Sequence, residues 1–306
     1  MYDRSDLHSM VVDSLEEQIA VIDKSGKIVD VNAAWERFGL ENDLASEYNS
    51  IGSNYLEVLA NAAAKGDEAA SEAAKGISDV LNGQQDAFRY EYPCHSPRVK
   101  RWFIMRIAAL KDSVDKLFVI SHQNITERKI AERKAEYLAR HDPLTQLANR
   151  RYFNEFLNAE FRRNIRHHSP ISLMMVDVDH FKEYNDRHGH PAGDECLVKI
   201  SLVLVEFSQR PGDLAARLGG DEFALLLGET GFEEAANIAE AIKYSVNDLD
   251  LMIDKDRQIT SSIGVVSMVP GKDQLEDFLL AESDKALYQA KAAGRNCIVH
   301  EQPVVK

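Results

Sequence analysis

Apolar residues follow different rhythms in the two halves of the chain. Residues 171–178, Ile-Ser-Leu-Met-Met-Val-Asp-Val, form a nearly unbroken hydrophobic run, as expected of a strand buried on both faces. The run ends in two acids, Asp177 and Asp179, and a helix is predicted to open just after them. Two shorter apolar runs, Leu214–Leu218 and Phe223–Leu227, flank Gly219-Gly220. That pattern predicts a β-hairpin with the glycines at its tip. The first 125 residues read as shorter elements. Strands are expected at Ile19–Asp23 and Ile28–Val31 around the turn Lys24-Ser25-Gly26-Lys27, and a helix from Asn32 to Phe38. An alanine-rich helical region covers 54–82, and strands follow near Ala87–Tyr92, Trp102–Leu110 and Leu117–Gln123. Between the halves, Thr126–His141 lacks Pro and Gly and is rich in Glu, Arg, Lys and Ala. It reads as a charged helix with Ala131, Ala135 and Leu138 on one side. That seam is too short and small-sided to specify a coiled coil, and a solvated connecting helix fits as well.

The expectation is a two-domain α+β chain. Residues 10–125 form an antiparallel sheet with flanking helices, 126–141 a helical linker, and 142–304 a central sheet surrounded by helices. The length of 306 residues and the 44% hydrophobic content suit two domains of roughly 100–200 residues each. A formal net charge of −14 argues against a phosphate-coated partner such as duplex DNA. A single nucleotide needs only a few local cations, so the acidity leaves that partner open. Cys94, Cys196 and Cys297 lack metal-type spacing and fit a reducing compartment. No signal-peptide core and no apolar run of about 18 residues is present, so a cytoplasmic protein without membrane contact is expected.

Chemistry concentrates at residues 217–223, Arg-Leu-Gly-Gly-Asp-Glu-Phe. Glycines at the tip permit positive φ and leave space for a bulky anion, while Asp221 and Glu222 offer hard oxygen ligands suited to Mg²⁺. An ordinary turn with solvated acids would explain these residues equally well if they stood alone. They do not. Asp177 ends a strand beside a helix N-terminus, a place where an acid can hold a cation and free N–H groups can hold phosphate. Asn185-Asp186, Gly189-His190 and Gly193-Asp194 follow.

Residues 142–300 resemble the GGDEF family of diguanylate cyclases. The motifs keep the family's order and spacing: Asp142-Pro143-Leu144-Thr145, Asp177 to Lys182, Asn185-Asp186, Gly189-His190, Gly193-Asp194 and the hairpin. Ala286-Leu287-Tyr288, Lys291 and Gly294-Arg295-Asn296 complete the set. The resemblance implies condensation of two GTP to cyclic di-GMP with release of two pyrophosphates. It implies Mg²⁺ or Mn²⁺, two ions per half-site, held by Asp177, the Val178 carbonyl, Asp221 and Glu222. Asp221 would also help deprotonate the attacking hydroxyl, and Lys182 would stabilise charge on phosphate. Phe181, Asn185, His190 and Asp194 would hold the substrate, with Asn185 and Asp194 reading guanine through hydrogen bonds that adenine cannot match. The alternatives are a helix-surface Asn185 and an N-cap role for Asp194 ahead of Glu195, a role Asp194 can combine with binding. Lys291 and Arg295, four apart near a helix end, could point one cationic face at the triphosphate. A helix C-terminal preference for cations explains them too. The pair His188 and His190 lacks the further ligands that zinc needs.

Arg210-Pro211-Gly212-Asp213 matches the family's RxxD product-binding site, with Arg210 nine positions before Gly219. A surface turn with an ion pair is the alternative. Two positions depart from the family: Gln146 stands where Gly is usual, and Ser283 replaces Ala before Asp284. The N-terminal half resembles a PAS sensor domain, with Asn124-Ile125-Thr126-Glu127-Arg128-Lys129 as its exit sequence. Tyr92-Pro93-Cys94-His95-Ser96-Pro97 reads as a proline-stiffened strand end rather than a haem or metal site, because neighbouring strand residues face opposite ways. What such a sensor would bind, small molecule or protein, is left open. A homodimer is expected, because each hydroxyl must reach a GTP held by another domain. The competing expectation is an inactive cyclase-like receptor or scaffold for cyclic di-GMP or GTP.

Overall fold

The computed structural model describes residues 4–42, 49–95, 99–111, 113 and 116–302. Ser96 and Pro97 of the segment read as a stiffened loop lie outside the described residues. The chain divides into two compact units, Met1–Arg133 and Lys134–Lys306.

The first unit contains α1 (Arg4–Asp13), β1 (Gln18–Ile22), β2 (Ile28–Val31), α2 (Ala33–Glu41), α3 (Tyr55–Ala63) and α4 (Glu68–Leu81). They are followed by β3 (Ala87–Pro93), β4 (Trp102–Ala109) and β5 (Phe118–Asn124). The strands form one antiparallel sheet in the order β2-β1-β5-β4-β3. Helices α2, α3 and α4 start at Asn32, Asn54 and Asp67, whose side chains accept backbone N–H bonds of the first turn, which is the N-cap chemistry of short polar residues. Ile22, Ile77, Met105, Ile107 and Ile120 fill the core. Cys94 and His95 lie just past β3. His95 packs edge-on against Trp102 with ring centroids 4.9 Å apart, so the imidazole is used in packing.

Helix α5 (Thr126–Arg140) has no buried residue, and Ile130, Tyr137 and Leu138 are exposed along it. The second unit continues with β6 (Ala148–Asn149), α6 (Arg150–His167), β7 (Ile171–Asp179), α7 (Phe181–His188) and α8 (His190–Glu206). Then come β8 (Asp213–Gly219), β9 (Glu222–Gly228), α9 (Phe232–Asp248), β10 (Thr260–Met268), α10 (Glu276–Ala292) and β11 (Ile298–Glu301). Their sheet runs β11-β10-β7-β9-β8-β6. Every residue of β7 is buried, because β7 lies mid-sheet with helices over both faces. Met174, Val176 and Leu225 join one core, and Leu173, Met175 and Leu226 the other, as the period-2 alternation of strand side chains requires. Gly264 lets α10 close on β10: a Cβ there would stand 2.1 Å from the Leu287 nitrogen.

Candidate functional site

Strand register gathers the acids. β7 and β9 run antiparallel with Asp177 opposite Glu222, and the Val178 N–H donates to the Asp221 carbonyl at 3.2 Å. Asp177, Val178, Asp221 and Glu222, more than forty positions apart in sequence, therefore share one end of the sheet. At the hairpin tip Gly219 has φ 151° and Gly220 φ 54°, and a Cβ on either would meet nothing within 4 Å. The tip is open as well as sharply turned. It is tied from below. Arg217 donates from Nε and Nη2 to the Gly220 carbonyl at 2.9 and 2.8 Å, and from Nη1 to the Asp142 carboxylate at 3.0 Å. Arg150 donates to the Leu218 carbonyl at 3.0 Å and reaches Glu222 at 3.5 Å.

Burial raises the pKa of the Asp177 carboxyl above the usual Asp value; the Lys291 ammonium, 2.6 Å away, opposes the rise, and the charges of Asp221 and Asp179 add to it. Lys291 thus occupies, as a cation, the place where the strand-end carboxylate presents its lone pairs. Asp179 is different. It is almost fully buried and accepts from Thr260 Oγ1 (2.7 Å), Ser262 Oγ (2.7 Å) and the Asn296 N–H (3.0 Å), so its oxygens serve the fold. Among the described residues no three His, Cys, Asp or Glu side chains already converge as a closed metal site. The donor set is two strand-end carboxylates, a tip carboxylate and backbone oxygen, left open on the solvent side.

Helix α7 starts behind His180, which has φ 60° and gives no side-chain cap, so its first N–H groups have no capping side chain. Lys182 is exposed on its first turn, and Phe181 packs on the core. Asn185 Oδ1 is buried without a hydrogen-bond partner. It faces Gly193, where a Cβ would stand 1.7 Å from that oxygen. His190 opens α8 behind Gly189, φ 84°, with Pro191 in the first turn.

Two expectations fail on helix boundaries. Asp194 is not an N-cap: α8 begins at His190, four residues earlier, because Pro at the first turn suits a helix start. Asp194 is exposed inside the helix. Lys291 and Arg295 do not share a helical face either. α10 ends at Ala292, and Arg295 adopts φ 65° in the turn beyond.

Arg210 and Asp213 form a turn at the far end of β8, about 20 Å from the tip at the usual rise per strand residue. The Arg210 N–H donates to the Asp213 carboxylate at 3.2 Å, and its guanidinium pairs with Glu234 at 2.9 Å. Burial holds the Asp213 carboxyl above its usual range.

Sequence reasoning missed Arg150 and Asp284. Burial and the Glu222 charge raise the Asp284 carboxyl, with Arg150 opposing, so α10 brings a further acid close to Glu222. The departures have structural correlates. Gln146 takes φ 62°, the left-handed region that glycine enters at no steric cost, and it accepts from Tyr137 Oη at 2.9 Å. Ser283 is buried and donates to the Leu279 carbonyl at 2.8 Å.

Residues 139–297 match the family described as diguanylate cyclase, GGDEF domain, just over half of the chain. Diguanylate cyclase DgcM of Escherichia coli strain K12 is 38% identical over 185 residues, covering 60% of this chain and 44% of that protein. The response regulator PleD of Caulobacter vibrioides strain NA1000 is 38% identical over 165 residues, covering 53% of this chain and 36% of PleD. The matches thus span less than half the length of these two relatives. The crystal structure of the coiled coil and GGDEF domain of DgcB from Caulobacter crescentus, in complex with c-di-GMP, superposes with a TM-score of 0.52 at 27% identity. It covers 58% of this chain and 93% of that one. With its acids gathered at the hairpin end of a matching sheet, the chain belongs to the diguanylate cyclase, GGDEF domain family.

Proposed function

We propose that the protein condenses two GTP into cyclic di-GMP. The observation that carries this reading is the β7–β9 register, which sets Asp177 opposite Glu222 beside an open Gly-Gly tip. In each half-reaction a ribose 3′-oxygen bonds to the α-phosphorus of the other GTP. The bond to the β-phosphate oxygen breaks, pyrophosphate leaves with that electron pair, and the hydroxyl proton passes to a base. Asp221, at the tip, is the candidate for that base. Mg²⁺ or Mn²⁺ suits the oxygen donors Asp177, Val178 carbonyl, Asp221 and Glu222, and when bound would neutralise triphosphate charge. The Asp177–Lys291 pair supports this, since a cation already stands against the strand-end acid.

The remaining residues bind and orient. Uncapped N–H groups at Phe181 and the start of α7, with Lys182, face charge on phosphate. The partnerless Asn185 oxygen suits a donor on the base edge, with Asp194 and His190 on the adjoining helix. Lys291 and Arg295 approach the triphosphate from two separate elements. Arg210 and Asp213, remote from the tip, form a product-binding turn for feedback inhibition. We assign residues 10–125 as a PAS-like sensor, 126–141 as the signalling helix and 142–304 as the catalytic domain of a homodimer. The β2-β1-β5-β4-β3 sheet supports the sensor assignment.

Incubating purified protein with GTP and Mg²⁺ and separating the products by chromatography tests the reaction. Cyclic di-GMP and pyrophosphate in a 1:2 ratio are expected. GTP that remains intact, while the protein binds added cyclic di-GMP, would instead identify a receptor.

A further inference from the structure

Helix α10 ends in a turn that is longer than a helix stop requires. The Gly294 N–H donates to the Lys291 carbonyl at 3.4 Å and the Arg295 N–H to the Ala290 carbonyl at 3.2 Å, with Gly294 at φ 117°. That pair of bonds around one left-handed glycine is a complete stop. The chain nevertheless stays left-handed for two more residues, Arg295 at φ 65° and Asn296 at φ 46°. Asparagine enters this region readily and arginine does not. Such a conformation persists only where its surroundings over-determine it.

The determinant is Asp179. Its carboxylate is almost fully buried, and a buried charge is tolerated only where hydrogen bonds satisfy it. β10 supplies two donors, Thr260 Oγ1 to Oδ2 and Ser262 Oγ to Oδ1, both at 2.7 Å. The third is the Asn296 N–H, 3.0 Å from Oδ2, and it reaches that oxygen through the left-handed pair. The Asn296 side chain is gripped as well, accepting from Asn247 Nδ2 at 3.3 Å. One residue later the Cys297 carbonyl accepts from the Ile263 N–H at 3.0 Å, and the chain enters β11.

The turn held in this way carries Arg295. Asp177 and Asp179 project from the same face of β7, and Asp177 meets Lys291 Nζ at 2.6 Å. One strand end therefore fixes both ends of the segment that bears the two cations. Lys291 is held by its own side chain, and Arg295 through the backbone of the next residue. Arg295 is exposed. On a free loop it would sample many positions, whereas a pre-set guanidinium loses less freedom when it pairs with phosphate.

We propose that Asp179 is a positioning residue for the triphosphate: by fixing the Asn296 N–H it holds the 294–296 turn, and with it the Arg295 guanidinium, beside the end of β7 that carries Asp177. This rests on reading Arg295 as a triphosphate ligand of a cyclase, whereas the hold on the turn does not. The test uses the full chain. Asp179→Ala leaves three donors unmet and risks the fold. Asp179→Asn is therefore the second variant. Its amide oxygen can accept from Thr260 and Asn296, and its amide nitrogen can donate to Ser262 Oγ, whose hydroxyl turns round. The bonds survive but lose their charge assistance.

The KM for GTP, followed by pyrophosphate release, should rise about threefold in Asp179→Asn and about tenfold in Arg295→Ala, with Asp179→Ala closer to the latter where it folds. The double variant Asp179→Asn, Arg295→Ala should match Arg295→Ala alone within about twofold, since a clasp without its arginine has nothing to position. In Asp179→Asn, kcat should stay within about threefold of wild type. Amides of residues 293–298 should exchange hydrogen at least roughly threefold faster in that variant, with β7 and β9 as protected as in wild type.

An undiminished effect of Asp179→Asn in the Arg295→Ala background would overturn the proposal, because Asp179 would then act on GTP by another route. A fall in kcat by orders of magnitude would overturn it too, as the mark of a metal ligand or proton acceptor. Unchanged exchange at 293–298 denies the hold on the turn, and faster exchange with an unchanged KM denies that the hold serves Arg295. Arg295→Ala with an unchanged KM removes the triphosphate reading and the positioning role with it, while the exchange rates still report the hold by themselves. If the chain releases no pyrophosphate, the same cycle is read as GTP affinity by calorimetry, so loss of the cyclase reading leaves the test standing.

Discussion

Asp177 and Asp179 stand two positions apart on one strand, yet their carboxylates meet opposite surroundings. Asp179 is saturated by two hydroxyls and a backbone N–H. Asp177 has a single ammonium partner and its carboxyl is raised by burial and by neighbouring acids. The acid free to act beside Asp177 is Asp221, and Asp221→Asn keeps its shape while removing its charge. Synthesis of cyclic di-GMP, followed as pyrophosphate release, should fall by orders of magnitude with an unchanged unfolding temperature. Wild-type turnover by this variant would falsify the proposed role.

His122 gives a residue-level prediction of another kind. Its folded pKa of about 4 lies below the ordinary value of 6.5, so between these pH values the unfolded chain binds more protons. Stability from this residue is therefore complete above pH 6.5 and is lost as pH falls toward 4. The loss is on the order of 3 kcal/mol at one pKa unit per 1.36 kcal/mol. Tyr55 and Tyr92 have raised pKa values and stay neutral throughout. His122→Gln can donate and accept but does not titrate. Its denaturation midpoint for the N-terminal unit should vary less between pH 6.5 and 4 than that of wild type.

The strand that ends at Asp177 and the Gly-Gly hairpin that carries Asp221 and Glu222 were each legible, because an apolar run and a turn fix them locally; that the two pair side by side was implied only by the family resemblance. The saturation of Asp179 was not legible. Thr260, Ser262 and Asn296 lie 81, 83 and 117 positions away, and only the β7–β10 pairing and the turn after α10 bring them together.

At the scale of elements, α7 is held by the loop before β10. Glu183 accepts from His180 at 2.9 Å and from Arg257 at 2.8 Å. Arg257 also forks onto Asp254 at 3.0 and 2.8 Å, and His188 Nε2 is 3.1 Å from the Ile253 carbonyl. Each exposed pair alone is worth little. Together they fix the helix that presents Lys182 and Asn185. Arg257→Met should raise KM for GTP several-fold with kcat nearly unchanged, and Arg257→Lys should recover part of the loss. A fall in kcat with KM unchanged would assign the loop to some other task. Nothing in the sequence marks Arg257, which sits in a polar loop whose partners lie about seventy positions earlier. The start of α8 was available from Pro191, a first-turn residue by preference, but the Asp-Glu pair further on suggested a later cap. The end of α10 was hidden because Gly294 shares its turn with Arg295 and Asn296, two residues at positive φ that no helical pattern announces.

For the whole molecule, the reaction requires two catalytic domains to face each other, whereas the fold of one domain supplies a single set of acids. Linking through the N-terminal unit and α5 would raise the effective concentration of the second set. A chain beginning at Arg140 should therefore be largely monomeric by light scattering, with specific activity that climbs as protein concentration increases. A tight dimer with concentration-independent activity would move the dimerising element into the catalytic domain. One further property belongs to the molecule as a whole. The buried Asn185 amide oxygen faces Gly193 and has no hydrogen-bond partner within the protein, and an unmet buried acceptor costs about 1–3 kcal/mol. Selection for thermal robustness alone would remove it. Asn185→Leu should accordingly melt at or above the wild-type temperature without ligand, yet lose the upward shift in melting temperature that GTP gives the wild type. The native chain would then trade resting stability for the strength of its answer to nucleotide.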